Sequence, residues 1–70
     1  MATITTLLKN AKTVLFSDDE HTNVDITGVK NLLDIKKMFS IHGKLTRVGT
    51  FGNKVCYRLS SDYNFTLTLL

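Results

Sequence analysis

A small α+β domain is the fold class this sequence predicts: two helices followed by a three-stranded antiparallel sheet. Apolar residues recur at helical spacing in residues 4–15 and again in 29–39. Two alternating runs then flank Gly52-Asn53, a dipeptide suited to a tight hairpin turn. A third alternating run, Asn64 to Leu70, closes the chain. Seventy residues, 43% of them hydrophobic, make one domain over 1–70 with a modest core.

Ile4, Leu7, Leu8, Ala11, Val14 and Leu15 line one helical face, with Lys9, Asn10, Lys12 and Thr13 outside it. Thr3 is suited to cap its start, which gives a first helix over residues 3–16. The rival reading of its end is a short strand, Thr13-Val14-Leu15-Phe16. Ser17 to Asp25 is polar and reads as a loop, with room for one helical turn. Asp25 or Thr27 would cap a second helix over 27–42 carrying Val29, Leu32, Leu33, Ile35, Met38 and Phe39. That stripe is wide enough for the helix to be largely buried. Lys30, Asp34 and Lys37 share its other side, His42 falls in its last turn, and Gly43 suits the position after it.

In the hairpin, Gly52 accepts the positive φ that a type II′ turn demands at its first central position. Counting outward pairs Phe51 with Lys54, Thr50 with Val55, Gly49 with Cys56, Val48 with Tyr57, Arg47 with Arg58 and Thr46 with Leu59. One face then holds Val48, Val55, Tyr57 and Leu59, and the other Arg47, Phe51, Lys54, Cys56 and Arg58. Like charges directly across strands repel. Arg47 beside Arg58 would cost less with an anion held between or above the two guanidinium forks. The plain alternative is two arginines splayed apart and paired with Asp18, Asp19 or Glu20. After a turn at residues 60–63, Phe65, Leu67 and Leu69 alternate with Thr66 and Thr68 in a third strand. As a bare edge this uncharged strand would aggregate, so it has to be paired, covered or used to join another chain, for instance in a homodimer.

The net charge of +3 conceals an asymmetry. Asp18, Asp19, Glu20 and Asp25 crowd residues 17–25, whereas from Gly28 to Arg58 seven cations face Asp34 alone. Such an excess points to an anionic partner, the bland alternative being solvated surface charge. The single cysteine, Cys56, excludes an intramolecular disulfide and favours a reducing cytoplasm. Lys9 and Lys12 interrupt the apolar N-terminal stretch, so neither a signal peptide nor a membrane anchor is expected. No nucleophile–base constellation, phosphate loop or HExxH spacing is present, which argues against an enzyme and against a cofactor. Asp18-Asp19-Glu20-His21 are sequence neighbours, which rarely converge on one ion, so no metal site is expected.

Leu45 to Leu59, LTRVGTFGNKVCYRL, resembles the wing hairpin of small winged-helix DNA-binding regulators of the ArsR-like group. Gly43, Leu45, Arg47, Gly52, Val55, Tyr57, Arg58 and Leu59 carry the match, with Lys44 as an extra residue after Gly43. The resemblance implies a recognition helix within residues 28–42, a hairpin tip against phosphates, and regulation of transcription through double-stranded DNA. Its contacts would be Lys30, Lys36, Lys37, Lys44, Arg47, Phe51, Lys54 and Arg58. The metal-sensing cysteines of that group are absent here, so no metal site is carried over. A different class fits the same residues: a virus- or plasmid-encoded inhibitor of a host protein. It would dock through Leu67 and Leu69 by strand addition, or through Asp18, Asp19 and Glu20. Phe51 and Tyr63 are aromatics near cations, which suits stacking on bases or a protein hot spot.

Overall fold

The computed structural model describes residues 3–59 and 62–70. The elements are α1 (Ile4–Asn10), β1 (Val14–Ser17), β2 (Val24–Asp25), α2 (Leu32–Met38), β3 (Leu45–Phe51), β4 (Lys54–Leu59) and β5 (Asn64–Leu69). All neighbouring strands are antiparallel, in one five-stranded sheet of order β2-β1-β5-β4-β3. The expected three-stranded, winged-helix-like arrangement is thus corrected. Two strands are added ahead of the hairpin, and each helix shrinks to seven residues.

The first helix starts where expected, the Thr3 hydroxyl accepting from the Thr6 amide at 3.3 Å. It stops at Asn10 because the residues after it have a better partner. Val14 and Phe16 pair with Leu69 and Leu67 of β5 and bury fully on the same side. The strand reading of residues 14–16 therefore replaces the end of the expected helix. The polar segment after β1 turns back through Asn23, at φ 49, and lays Val24 and Asp25 beside Phe16 and Leu15. Ser17 fastens that reversal, its hydroxyl donating to Asn23 Oδ1 at 3.2 Å and accepting from the Asn23 amide at 2.9 Å. What reads as a loop contains an edge strand.

The second helix begins at Leu32 and not at residue 27 because Asp25 and Thr27 are spent elsewhere. Thr27 Oγ1 donates to Asp25 Oδ1 at 2.6 Å and accepts from the Val14 amide at 3.1 Å, tying this segment to β1. Asn31 caps α2 instead, its Oδ1 accepting from the Asp34 amide at 2.9 Å. The helix ends at Met38 with Phe39 as its C-cap, followed by Ser40 at φ 54, so His42 and Gly43 lie beyond it. Gly43 sits at φ 112, where a Cβ would come 2.9 Å from a Leu59 methyl. The turn expected at residues 60–63 lies partly outside the described residues.

One face of the sheet is covered. Val14, Phe16, Val55, Tyr57, Leu59, Phe65 and Leu67 point into a core closed by Leu8, Ile26, Val29, Ile35 and Ile41. At its centre Phe16 stacks on Phe39 with ring centroids 3.9 Å apart and meets Phe65 at 5.0 Å. Replacing Phe16 by alanine should cost about 3–5 kcal/mol, a large part of what a domain this size holds. Urea unfolding of F16A should show a midpoint near zero denaturant; a shift of only a few tenths molar would contradict this packing.

Candidate nucleic-acid interface

The turn at Gly52-Asn53 forms as expected, with Gly52 at φ 63 and the pairs Phe51–Lys54, Thr50–Val55 and Gly49–Cys56 in place. Beyond Gly49 the register slips by one. Arg47 pairs with Tyr57, Thr46 with Arg58 and Leu45 with Leu59, leaving Val48 as the extra residue of a bulge. The expected pairing of Arg47 with Arg58 is therefore corrected, and the consequence is large. Residues facing one another across a ladder share a face, so Arg47 lies on the core side with Tyr57 while Arg58 lies on the opposite side. Arg47 Nη2 donates to Thr50 Oγ1 at 3.1 Å. Burial raises the Tyr57 phenol, and the neighbouring Arg47 charge partly offsets that. No anion is needed to reconcile two arginines that do not meet.

The uncovered face can be read off the ladders as rows. The first runs Asp25–Leu15–Thr68–Lys54–Phe51 across all five strands. The second runs Ser17–Thr66–Cys56–Gly49, and the third Asn64–Arg58–Thr46. Val48, 60% exposed, projects from the bulge between the last two. Phe51 is 67% exposed, and its ring folds back over Gly49, where a Cβ would sit 3.2 Å from the ring. Cys56 is half-buried in this surface, 3.6 Å from the Thr66 hydroxyl.

Of the eight residues expected to hold nucleic acid, Phe51, Lys54 and Arg58 are brought together here. Arg47 is on the other side of the sheet. Lys36 and Lys37 border a depression with Leu33, Ser40 and His42 on the helical layer; Lys30 precedes α2 and Lys44 lies in the connection to β3. The α2 lysines thus belong to the helical layer, and Lys54 and Arg58 to the uncovered face of the sheet. Missing from the expectation were Val48, Asn64, Thr66 and Thr68. The alternation of β5 could have placed the last three, and a glycine inside a strand, Gly49, is the signal of a bulge.

The residues expected to hold a protein are arranged differently from the expectation. β5 is an inner strand between β1 and β4, with Leu67 fully buried and Leu69 half-buried, so strand addition there is excluded. The same pairing removes the expected route to a homodimer. Asp18 is an internal cap: Oδ1 accepts from the amides of Glu20 at 2.9 Å and His21 at 2.7 Å and lies 2.9 Å from His21 Nδ1. The Tyr63 hydroxyl donates to Oδ2 at 2.5 Å. Asp19 and Glu20 are exposed. Among the described residues no three His, Cys, Asp or Glu side chains are grouped to hold a metal, and no helix is long and apolar enough to cross a membrane. No family model, curated protein or solved structure matches the chain.

Burial pushes the Asp18 carboxyl up, but hydrogen bonds from Tyr63, His21 and Glu20 outweigh it and hold it below the usual value. Burial, the bond to Asp18 and the nearby carboxylates of Asp18, Asp19 and Glu20 hold the Tyr63 phenol far above its usual value. The Asp18 contribution to stability is full above the unfolded carboxyl's pKa, about 4, and is lost as pH falls through the lower folded value. The Tyr63 contribution is full below about 10 and is lost as pH rises through the higher folded value. D18N should cost about 1–3 kcal/mol at neutral pH. It should also flatten the fall in urea midpoint between about pH 5 and pH 2. An unchanged acid limb in D18N would refute this cap.

Proposed function

We propose that this protein binds single-stranded nucleic acid on the open face of its sheet. The observation that carries the reading is the joint exposure of Phe51, Lys54 and Arg58 on one uncovered surface, among the hydroxyls of Thr46, Thr66, Thr68 and Ser17. An unstacked base can lie on an aromatic ring while cations track the backbone, and hydroxyls serve sugars and phosphates. A duplex offers Phe51 no base face, and its groove would call for α2 and the hairpin tip on the same side. The single-strand reading thus keeps the nucleic-acid partner and replaces the duplex mode. The free Cys56 thiol accords with a cytoplasmic setting.

A second reading is favoured by one observation. Val48 and Phe51 are large apolar side chains exposed on the face that carries Arg58, the composition of a protein hot spot. An inhibitor of another protein would use this face and not the C-terminal strand.

Fluorescence anisotropy with a labelled single strand and its duplex separates these readings. The single strand should bind more tightly, with a log–log salt slope of about −1.4 to −2 if two or three phosphates are neutralised. F51A should weaken binding about 5- to 150-fold, the measured worth of one base–aromatic stack. K54A should flatten the salt slope, and R47A should leave it unchanged. Absence of binding at low salt and micromolar protein, or equal affinity for the duplex, would overturn the reading.

A further inference from the structure

We infer that the open face contains a pocket for a single guanine base; this inference rests on the single-strand reading above. A groove of about 500 Å³ is lined by Val48, Cys56, Arg58, Asp62, Asn64 and Thr66, with Tyr57 and Phe65, whose side chains turn to the core, completing its floor. Its volume lies within the range of small-molecule sites, about 300–1,000 Å³. The ladder builds most of it. Arg58 stands across from Asn64 and Cys56 across from Thr66, Val48 projects from the bulge, and Asp62 precedes β5.

The charges decide what fits. Arg58 and Asp62 border the same groove yet form no ion pair among the described residues. A phosphate would gain from Arg58 and be repelled by Asp62. A neutral ligand with one accepting edge and one donating edge gains from both. Guanine O6 and N7 match a guanidinium fork, the commonest specific arginine contact with a base. A carboxylate has two oxygens and matches two adjacent N–H donors, which guanine presents at N1 and N2. Adenine, cytosine and thymine lack that pair of donors. Val48 and Cys56 supply the apolar contact for the flat of the ring.

The test uses a labelled thymine strand of about twelve nucleotides, a length in the range of single-strand sites. Versions carry one central guanine, adenine, cytosine, inosine or 7-deazaguanine. The guanine strand should bind about 5- to 150-fold more tightly than the adenine and cytosine strands, the discrimination of one good bidentate pair. Inosine, which lacks the N2 amine, and 7-deazaguanine, which lacks N7, should each lose most of the advantage. D62N, first checked for an unchanged urea midpoint, should lower the guanine strand to the level of the all-thymine strand. Equal affinity for guanine and adenine strands, with F51A still weakening both, would overturn the pocket and leave the stacking platform standing. Guanine preference retained in D62N would overturn it too. Failure to bind any strand would overturn the single-strand reading and this inference with it.

Discussion

The stack of Phe16 between Phe39 and Phe65 is the contact from which the rest of the architecture follows. Near-parallel rings, 8° apart for Phe16 and Phe39, bind β1 to the end of α2, and Phe65 brings in β5. Once β1 lies against β5, the C-terminal strand is internal, and its uncharged sequence is no longer a hazard. His21 meets both Phe16 and Phe39 edge-on, with centroids 6.0 and 5.2 Å away, and bonds Asp18. The aromatic cluster thereby reaches the acidic turn, which explains why a carboxylate that reads as a docking charge is occupied within the fold. Apart from half-buried Leu15, the large apolar side chains of the inner strands are spent on one side, and the other side of the sheet is left to water.

Alternation in a strand has a period of two, so one inserted residue moves every residue beyond it to the opposite face. The bulge at Val48 does this to Arg47. Had the register held, two guanidinium groups would have stood side by side on the open face, a cost that only a bound anion would have offset. With the bulge, Arg47 lies beside Tyr57 on the core side and bonds Thr50, while Arg58 has Thr46 and Asn64 as its neighbours. The repulsion is removed by geometry, not by a ligand. What remains on the open face is a smaller cationic pair, Lys54 and Arg58, with an aromatic ring directly across from Lys54.

Features decided within a few residues were legible in the sequence, and features decided by a distant partner were not. Gly52 at the hairpin tip and Thr3 at the start of α1 act locally and stand as expected. Val14, Leu15 and Phe16 satisfy a helical stripe and an alternating strand equally well; the choice falls to Leu67 and Leu69, which lie at the other end of the chain. Asp25 and Thr27 carry the composition of a helix cap, yet the Thr27 hydroxyl takes the Val14 amide, and no local signal distinguishes the two uses. The candidate site divides along the same line. Lys54 and Arg58 follow the turn on a regular strand, so counting places them correctly, whereas Arg47 lies beyond the irregularity. Gly49 was the only local hint of that irregularity.

The edges of the sheet are poorly suited to pairing with another strand. β2 is two residues long, too short to template another strand. β3 is longer but is kinked at Val48, and Arg47 stands beside the kink, so its free amides and carbonyls do not offer a straight ladder. Both devices discourage strand addition by another chain. The helical layer presents Lys36 and Lys37 around a shallow depression, while the opposite surface presents an aromatic ring, two cations, a row of hydroxyls and a groove with unlike charges on its rim. Of these surfaces the open face alone combines a flat stacking element with groups that donate and accept in a fixed array. A ligand of planar rings on a flexible anionic chain satisfies all of them at once.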